Sequence, residues 1–107
     1  MTIFDKREEG FENKFAHDEE LRFKAEARRN KLLGLWVAEK LGLSGEAVHE
    51  YARTVVAAGL GEGHDADVVG KVMDDLAKQG IAITEVQIRA KMDELMAQAI
   101  AQVKTGI

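Results

Sequence analysis

Two short constellations contain residue types that could do chemistry. His64, Asp65 and Asp67 offer an imidazole and two carboxylates within four positions, the ligand types of a loosely held divalent ion. A carboxylate immediately before an apolar-periodic run also caps a helix, and Asp65 stands in that position, so capping is the preferred reading. Just upstream, Gly59, Gly61 and Gly63 form a GxGxG pattern of the sort that can cradle a phosphate. A phosphate loop of the Walker kind needs four residues between its glycines and a Gly-Lys pair followed by Ser or Thr. Here six residues separate Gly63 from Gly70, and Gly70-Lys71 is followed by Val72. The pattern reads as a connection between helices.

Two further positions resolve the same way. Ser44, in Leu43-Ser44-Gly45, lacks the preceding Asp and following Leu of a carrier protein's attachment serine, and reads as a helix cap. His49 stands beside Glu46 and Glu50 on a helical segment, where it is expected to be solvated. Neither a Ser/His/Asp arrangement nor a paired-carboxylate site emerges. The chain is not expected to be an enzyme or to hold a catalytic metal.

A different chemistry, recognition, is concentrated at the start. Residues 1–31 hold sixteen of the thirty-four charged side chains, eight acids against eight bases. Phe4, Phe11 and Phe15 are set among those charges. Such a segment cannot bury itself, yet its aromatic rings gain by burial, which is the pattern of an arm that orders on a partner. Gly10 further lowers its helicity, by about 1 kcal/mol relative to alanine. Burying three phenylalanines returns less than ordering about fifteen residues costs. The partner must therefore enclose the arm in a cleft and answer its charges. His17, followed by Asp18, Glu19 and Glu20, is a candidate pH-sensitive position at the junction with the body.

The elements that must present this arm follow from composition and periodicity. At 107 residues, with 46% apolar content, no proline and no cysteine, the chain reads as one helical domain without disulfides. The net charge of −4 disfavours nucleic acid as a partner. Neither a membrane span nor a signal-peptide core is visible, so a cytoplasmic protein is expected.

Residues 1–17 read as the arm and 18–107 as an all-α four-helix bundle, with helices at about 18–41, 45–58, 66–79 and 85–104. Gly42 should end the first, Ser44 cap the second and Asp65 cap the third. Thr84 with Gln87 has capping-box spacing and should open the fourth. Val48, Tyr51, Ala52, Val55 and Val56 form the stripe of the second helix, Val68, Val69, Val72, Met73 and Leu76 that of the third, and Ile88, Met92, Leu95, Met96, Ala99 and Val103 that of the fourth. A strand over residues 80–88 is the rival for that stretch, but it would have no partner. On a helical wheel the three phenylalanines group within about 40°, while Leu21, Ala25, Leu32, Leu35 and Trp36 lie about 40–140° away. That offset predicts an aromatic face turned away from the core.

The run Phe11-Glu12-Asn13-Lys14-Phe15-Ala16-His17-Asp18-Glu19-Glu20, continuing through Phe23-Lys24-Ala25-Glu26-Ala27-Arg28-Arg29-Asn30-Lys31-Leu32-Leu33-Gly34-Leu35-Trp36, resembles the ζ subunit family. These are the ATPase inhibitors of alphaproteobacterial F-type ATP synthases. About thirty residues carry the likeness at near-signature level; beyond Gly42 only the pattern of helices matches.

The resemblance implies a four-helix bundle with a mobile, partly helical amino-terminal inhibitory region. It implies that the region enters a catalytic α/β interface near the γ stalk and blocks ATP-hydrolysing rotation. Carried onto this sequence, Phe4, Phe11 and Phe15 would be apolar anchors, with Arg7, Glu8, Glu12 and Lys14 as charged contacts. The implied partners are the α, β and γ subunits, and the implied location is cytoplasmic, peripheral at the inner membrane through the synthase. No cofactor is required, although the family also implies weak adenine nucleotide binding at a site the residues do not locate. The alternative is a small helical nucleotide-binding or sensor domain with little inhibitory activity.

Overall fold

The computed structural model describes residues 19–106, and within them the chain forms four α-helices. They are α1 (Glu19–Lys40), α2 (Glu46–Ala58), α3 (Asp65–Lys78) and α4 (Glu85–Thr105). Apart from the start of α1, which borders residues outside the description, each boundary lies within one residue of the expected one. The rival strand over 80–88 does not form: Ile81 and Ile83 pack against the core from the connection, and Ile88 is buried in the first turns of α4.

The bundle is organised around its first helix. α1 packs along α2 on one side and α4 on the other, and α3 closes the remaining side mainly against α2. Leu33 and Val37 of α1, Val55 of α2, Val68, Val72 and Leu76 of α3, and Ile88 and Met92 of α4 form one buried cluster. Trp36, Tyr51 and Met73 pack against its edge. Gly34 sets the closest approach of α1 to α2, because a Cβ there would stand 2.6 Å from the Ala52 Cα.

The helix ends explain the boundaries, and two caps differ from expectation. Gly42 takes a left-handed φ of 79° just past α1, where an L-residue would be strained. At α4 the capping box forms as read: Gln87 N–H donates to Thr84 Oγ1 at 3.1 Å, and Thr84 N–H donates to Gln87 Oε1 at 2.9 Å.

Ser44, however, does not cap α2. Gly45 occupies that position at φ 62°, ψ −139°, a conformation open to glycine, and no side chain caps the helix. Asp65 does not cap α3 either. It is the first helical residue, His64 precedes it at φ 48°, and its carboxylate is engaged elsewhere.

A third correction concerns the buried face of α1. Ala25, Leu33, Val37 and Ala38 are buried, together with Arg29, Asn30 and Gly34, whereas Leu21, Leu32, Leu35 and Trp36 are half-buried. At about 100° per residue, Arg29 and Leu33 fall on nearly the same azimuth as Phe11 and Phe15. The buried face of the body therefore differs from the apolar line expected for it, while the aromatic face of the arm lies outside the described residues. What distinguishes the arm in the sequence is its charge density.

Candidate interaction surface

The sequence-predicted contact residues Phe4, Arg7, Glu8, Phe11, Glu12, Lys14 and Phe15, and the candidate pH-sensitive His17, lie outside the described residues. The structure does describe the helix that follows them in the chain. Within the described residues α1 begins with Glu19 and Glu20. Two i,i+4 pairs follow on its surface, Lys24 with Glu20 at 3.2 Å and Arg22 with Glu26 at 3.9 Å. Phe23, between them, is 57% exposed, the only phenylalanine among the described residues.

The chemistry weighed at the glycine-rich connection is accounted for by internal bonds. Gly63 N–H donates to the Asp67 carboxylate at 3.0 Å. Asp65 receives the Arg29 guanidinium, Nη2 to Oδ1 at 2.6 Å and Nη1 to Oδ2 at 3.3 Å. Asn30 Oδ1 accepts from Nε and Nη2 of the same group at 3.0 and 2.9 Å. Arg29 and Asn30 are both buried, so these bonds are what allow a guanidinium to lie beneath the surface. Gly59 lies under the Asn30 amide, which a Cβ at that position would strike. Among the described residues no three His, Asp or Glu side chains converge as metal ligands.

A second polar cluster joins α2 to α3. The Tyr51 hydroxyl donates to Asp75 Oδ2 at 2.7 Å, and Lys71 Nζ donates to the same oxygen at 3.0 Å. Lys71 also lies 5.2 Å from the Tyr51 ring centre. Burial first, then the hydrogen bond and charge of Asp75, push the Tyr51 phenol well above its ordinary value. For Asp75, burial would raise the carboxyl. Hydrogen bonds from Tyr51 and Lys71, with the charges of Lys71 and Lys78, outweigh it and hold the group below its usual range. At the far end of the bundle, Lys40 and Lys91 lie 4.6 and 5.3 Å from the Trp36 ring, as cation–π partners.

Two adjoining grooves open between α1, α2 and the end of α4, with volumes of about 520 and 310 Å³. Lys31 and Val56 line both, so they form one continuous depression. The sequence reading missed this surface because it weighed net charge. The signal was the spacing of Lys24, Arg28 and Lys31, four and three residues apart, which places all three on one helix face.

Comparison with known proteins agrees with this architecture. The family model for ATPase inhibitor subunit zeta matches residues 1–102, spanning the amino-terminal segment and all but the end of α4. The chain belongs to the ATPase inhibitor subunit zeta family. A structure described as a solution NMR structure of a protein is similar to this zeta-family chain at 49% identity with a TM-score of 0.68. The match covers 81% of this chain and 99% of that one. A search of curated proteins gives no match. Membership places the chain in a family of regulatory inhibitor subunits. Among the described residues no helix is long and apolar enough to cross a membrane.

Proposed function

We propose that this zeta-family chain inhibits an F-type ATP synthase, with residues 1–17 as its effector. The arm folds into a catalytic α/β interface near the γ stalk and opposes rotation in the ATP-hydrolysing direction. The observation that carries this reading is that the family match begins at residue 1 and runs through the charge-rich segment into the bundle. Phe4, Phe11 and Phe15 serve as anchors, and Arg7, Glu8, Glu12 and Lys14 answer charges in the cleft. Inhibition arises from differential affinity for one rotary state, since a ligand shifts an equilibrium only by binding its states unequally. Peripheral attachment to the inner membrane through the synthase follows from the same reading.

The bundle supports the role as a packed helical body that follows the arm in the chain. Among the described residues the buried core begins at Ala25, beyond the segment to be removed. Titrating ATP hydrolysis of isolated synthase with the full chain and with the chain lacking residues 1–17 is the test. The full chain inhibits and the shortened one does not; equal inhibition by both removes the arm from the mechanism. In the same assay His17→Ala flattens any dependence of inhibition on pH between about 6 and 8. The competing reading, a nucleotide sensor, predicts no inhibition by either form and a spectral change of the bundle with ADP. Weak adenine nucleotide binding in an inhibiting chain is read by the same ADP titration.

A further inference from the structure

The groove between α1, α2 and α4 has an electrostatic character opposite to that of the molecule. Lys24, Arg28, Lys31 and Arg53 line it, with Lys24 also paired to Glu20 at 3.2 Å, and no carboxylate is among the lining residues, in a chain whose net charge is −4. Its floor is apolar, formed by Ala27, Ala52, Val56 and Val103. Arg28 is fixed at the rim by donating to Gln102 Oε1 at 3.0 Å. Lys31 and Arg53 are exposed and have no ion-pair partner among the described residues. Phe23 stands exposed at the mouth.

From this we propose that the groove is a second docking surface, taking an acidic segment with apolar side chains presented by the ATPase beside the cleft that receives the arm. Complementary charge selects the sign of the partner, and the apolar floor selects a protein segment over a phosphate backbone, which the chain's overall negative charge also repels. Position supports the same occupant. The groove begins at Phe23 and Lys24, eight and nine residues after Phe15 on the same stretch of chain. An enzyme surface that accepts the arm therefore lies next to it. An exposed phenylalanine at the edge of a basic, apolar-floored depression has the makeup of a contact centre with a charged rim.

The docking surface rests on the inhibitory reading, and the experiment separates the two. Inhibition of isolated synthase is titrated with the full chain, with the double variant Lys31→Glu/Arg53→Glu, and with Lys31→Arg/Arg53→Lys. Both positions are exposed, so the folded state survives, as an unchanged urea midpoint verifies. Charge reversal raises the half-inhibiting concentration about tenfold or more, the effect shrinks as salt rises, and the conservative pair retains wild-type potency. Equal potency of wild type and charge-reversed chain overturns the docking surface and leaves the inhibitory arm standing. Failure of the wild-type chain to bind the synthase overturns both. A third outcome is read in the free chain by backbone NMR. Shifts of the residue 4–15 amides on charge reversal show the groove covered by the chain's own arm, which also overturns the proposal.

Discussion

Arg29 of α1 and Asp65 of α3 meet through both nitrogens of the guanidinium fork, at 2.6 and 3.3 Å, with Arg29 buried and Asp65 half exposed. This bond holds the start of α3 against α1, directly behind the glycine-rich connection. It also gives the acids of that connection structural partners: one carboxylate neutralises a buried arginine and the next accepts a loop N–H. Removing the acid alone leaves an arginine beneath the surface with only Asn30 to answer it.

Asp65→Asn should therefore lower stability by about 2 kcal/mol, whereas a substitution that removes the charge itself should cost less. Arg29→Met keeps the stem's volume and leaves Asp65 free to solvate. Urea unfolding of the two single variants tests the ordering. If Arg29→Met is the more damaging, the charge is a net stabiliser and the argument from desolvation is wrong.

Two helical glycines should respond in opposite directions. Gly34→Ala drives a Cβ to 2.6 Å from the Ala52 backbone, so α1 and α2 must separate. The expected net cost is about 1–2 kcal/mol, strain partly offset by alanine's better helix propensity. Gly70 lies mid-α3 with open space around its missing side chain. Gly70→Ala should stabilise by about 0.5–1 kcal/mol. Denaturant midpoints moving in the same direction for both would contradict the close approach at Gly34.

At the start of α4, Thr84→Ala removes the acceptor for Gln87 N–H and should cost about 1 kcal/mol. Loss of Gln87 should cost less, because Thr84 N–H is exposed and can turn to water. Thermal midpoints of Thr84→Ala and Gln87→Ala give the comparison, and equal losses would mean the box acts as one unit.

How far the sequence carried these conclusions differs by element. The apolar stripes of α2, α3 and α4 put Val55, Val72, Leu76, Ile88 and Met92 in the core because each stripe runs unbroken at helical spacing. α1 was harder. Its buried line passes through Arg29 and Asn30, polar residues held by Asp65, 36 positions beyond Arg29, and by each other. A wheel that counts only apolar side chains therefore rotates the face toward Leu32 and Leu35. Caps failed for a related reason. Ser44 and Asp65 have the right types, but a left-handed glycine and a buried arginine compete for those positions. The basic groove was legible only as a spacing on α1, since Arg53 and Val56 join it through tertiary packing of α2.

The Tyr51–Asp75 bond makes stability depend on pH at both extremes. The folded state keeps the Tyr51 proton to higher pH than an unfolded tyrosine would. Its contribution is thus full below about pH 10 and is lost as pH rises beyond that value, because only the unfolded chain ionises easily. Asp75 behaves in reverse. Its carboxyl is held below the usual range, so its contribution is present above about pH 4 and lost as pH falls further. Tyr51→Phe should cost about 1 kcal/mol near neutrality and flatten the alkaline fall, while Lys71 preserves most of the acid-side dependence. Urea midpoints from pH 3 to pH 11 for wild type and Tyr51→Phe measure both arms. An alkaline slope that survives the substitution unchanged would place the responsible proton on another group.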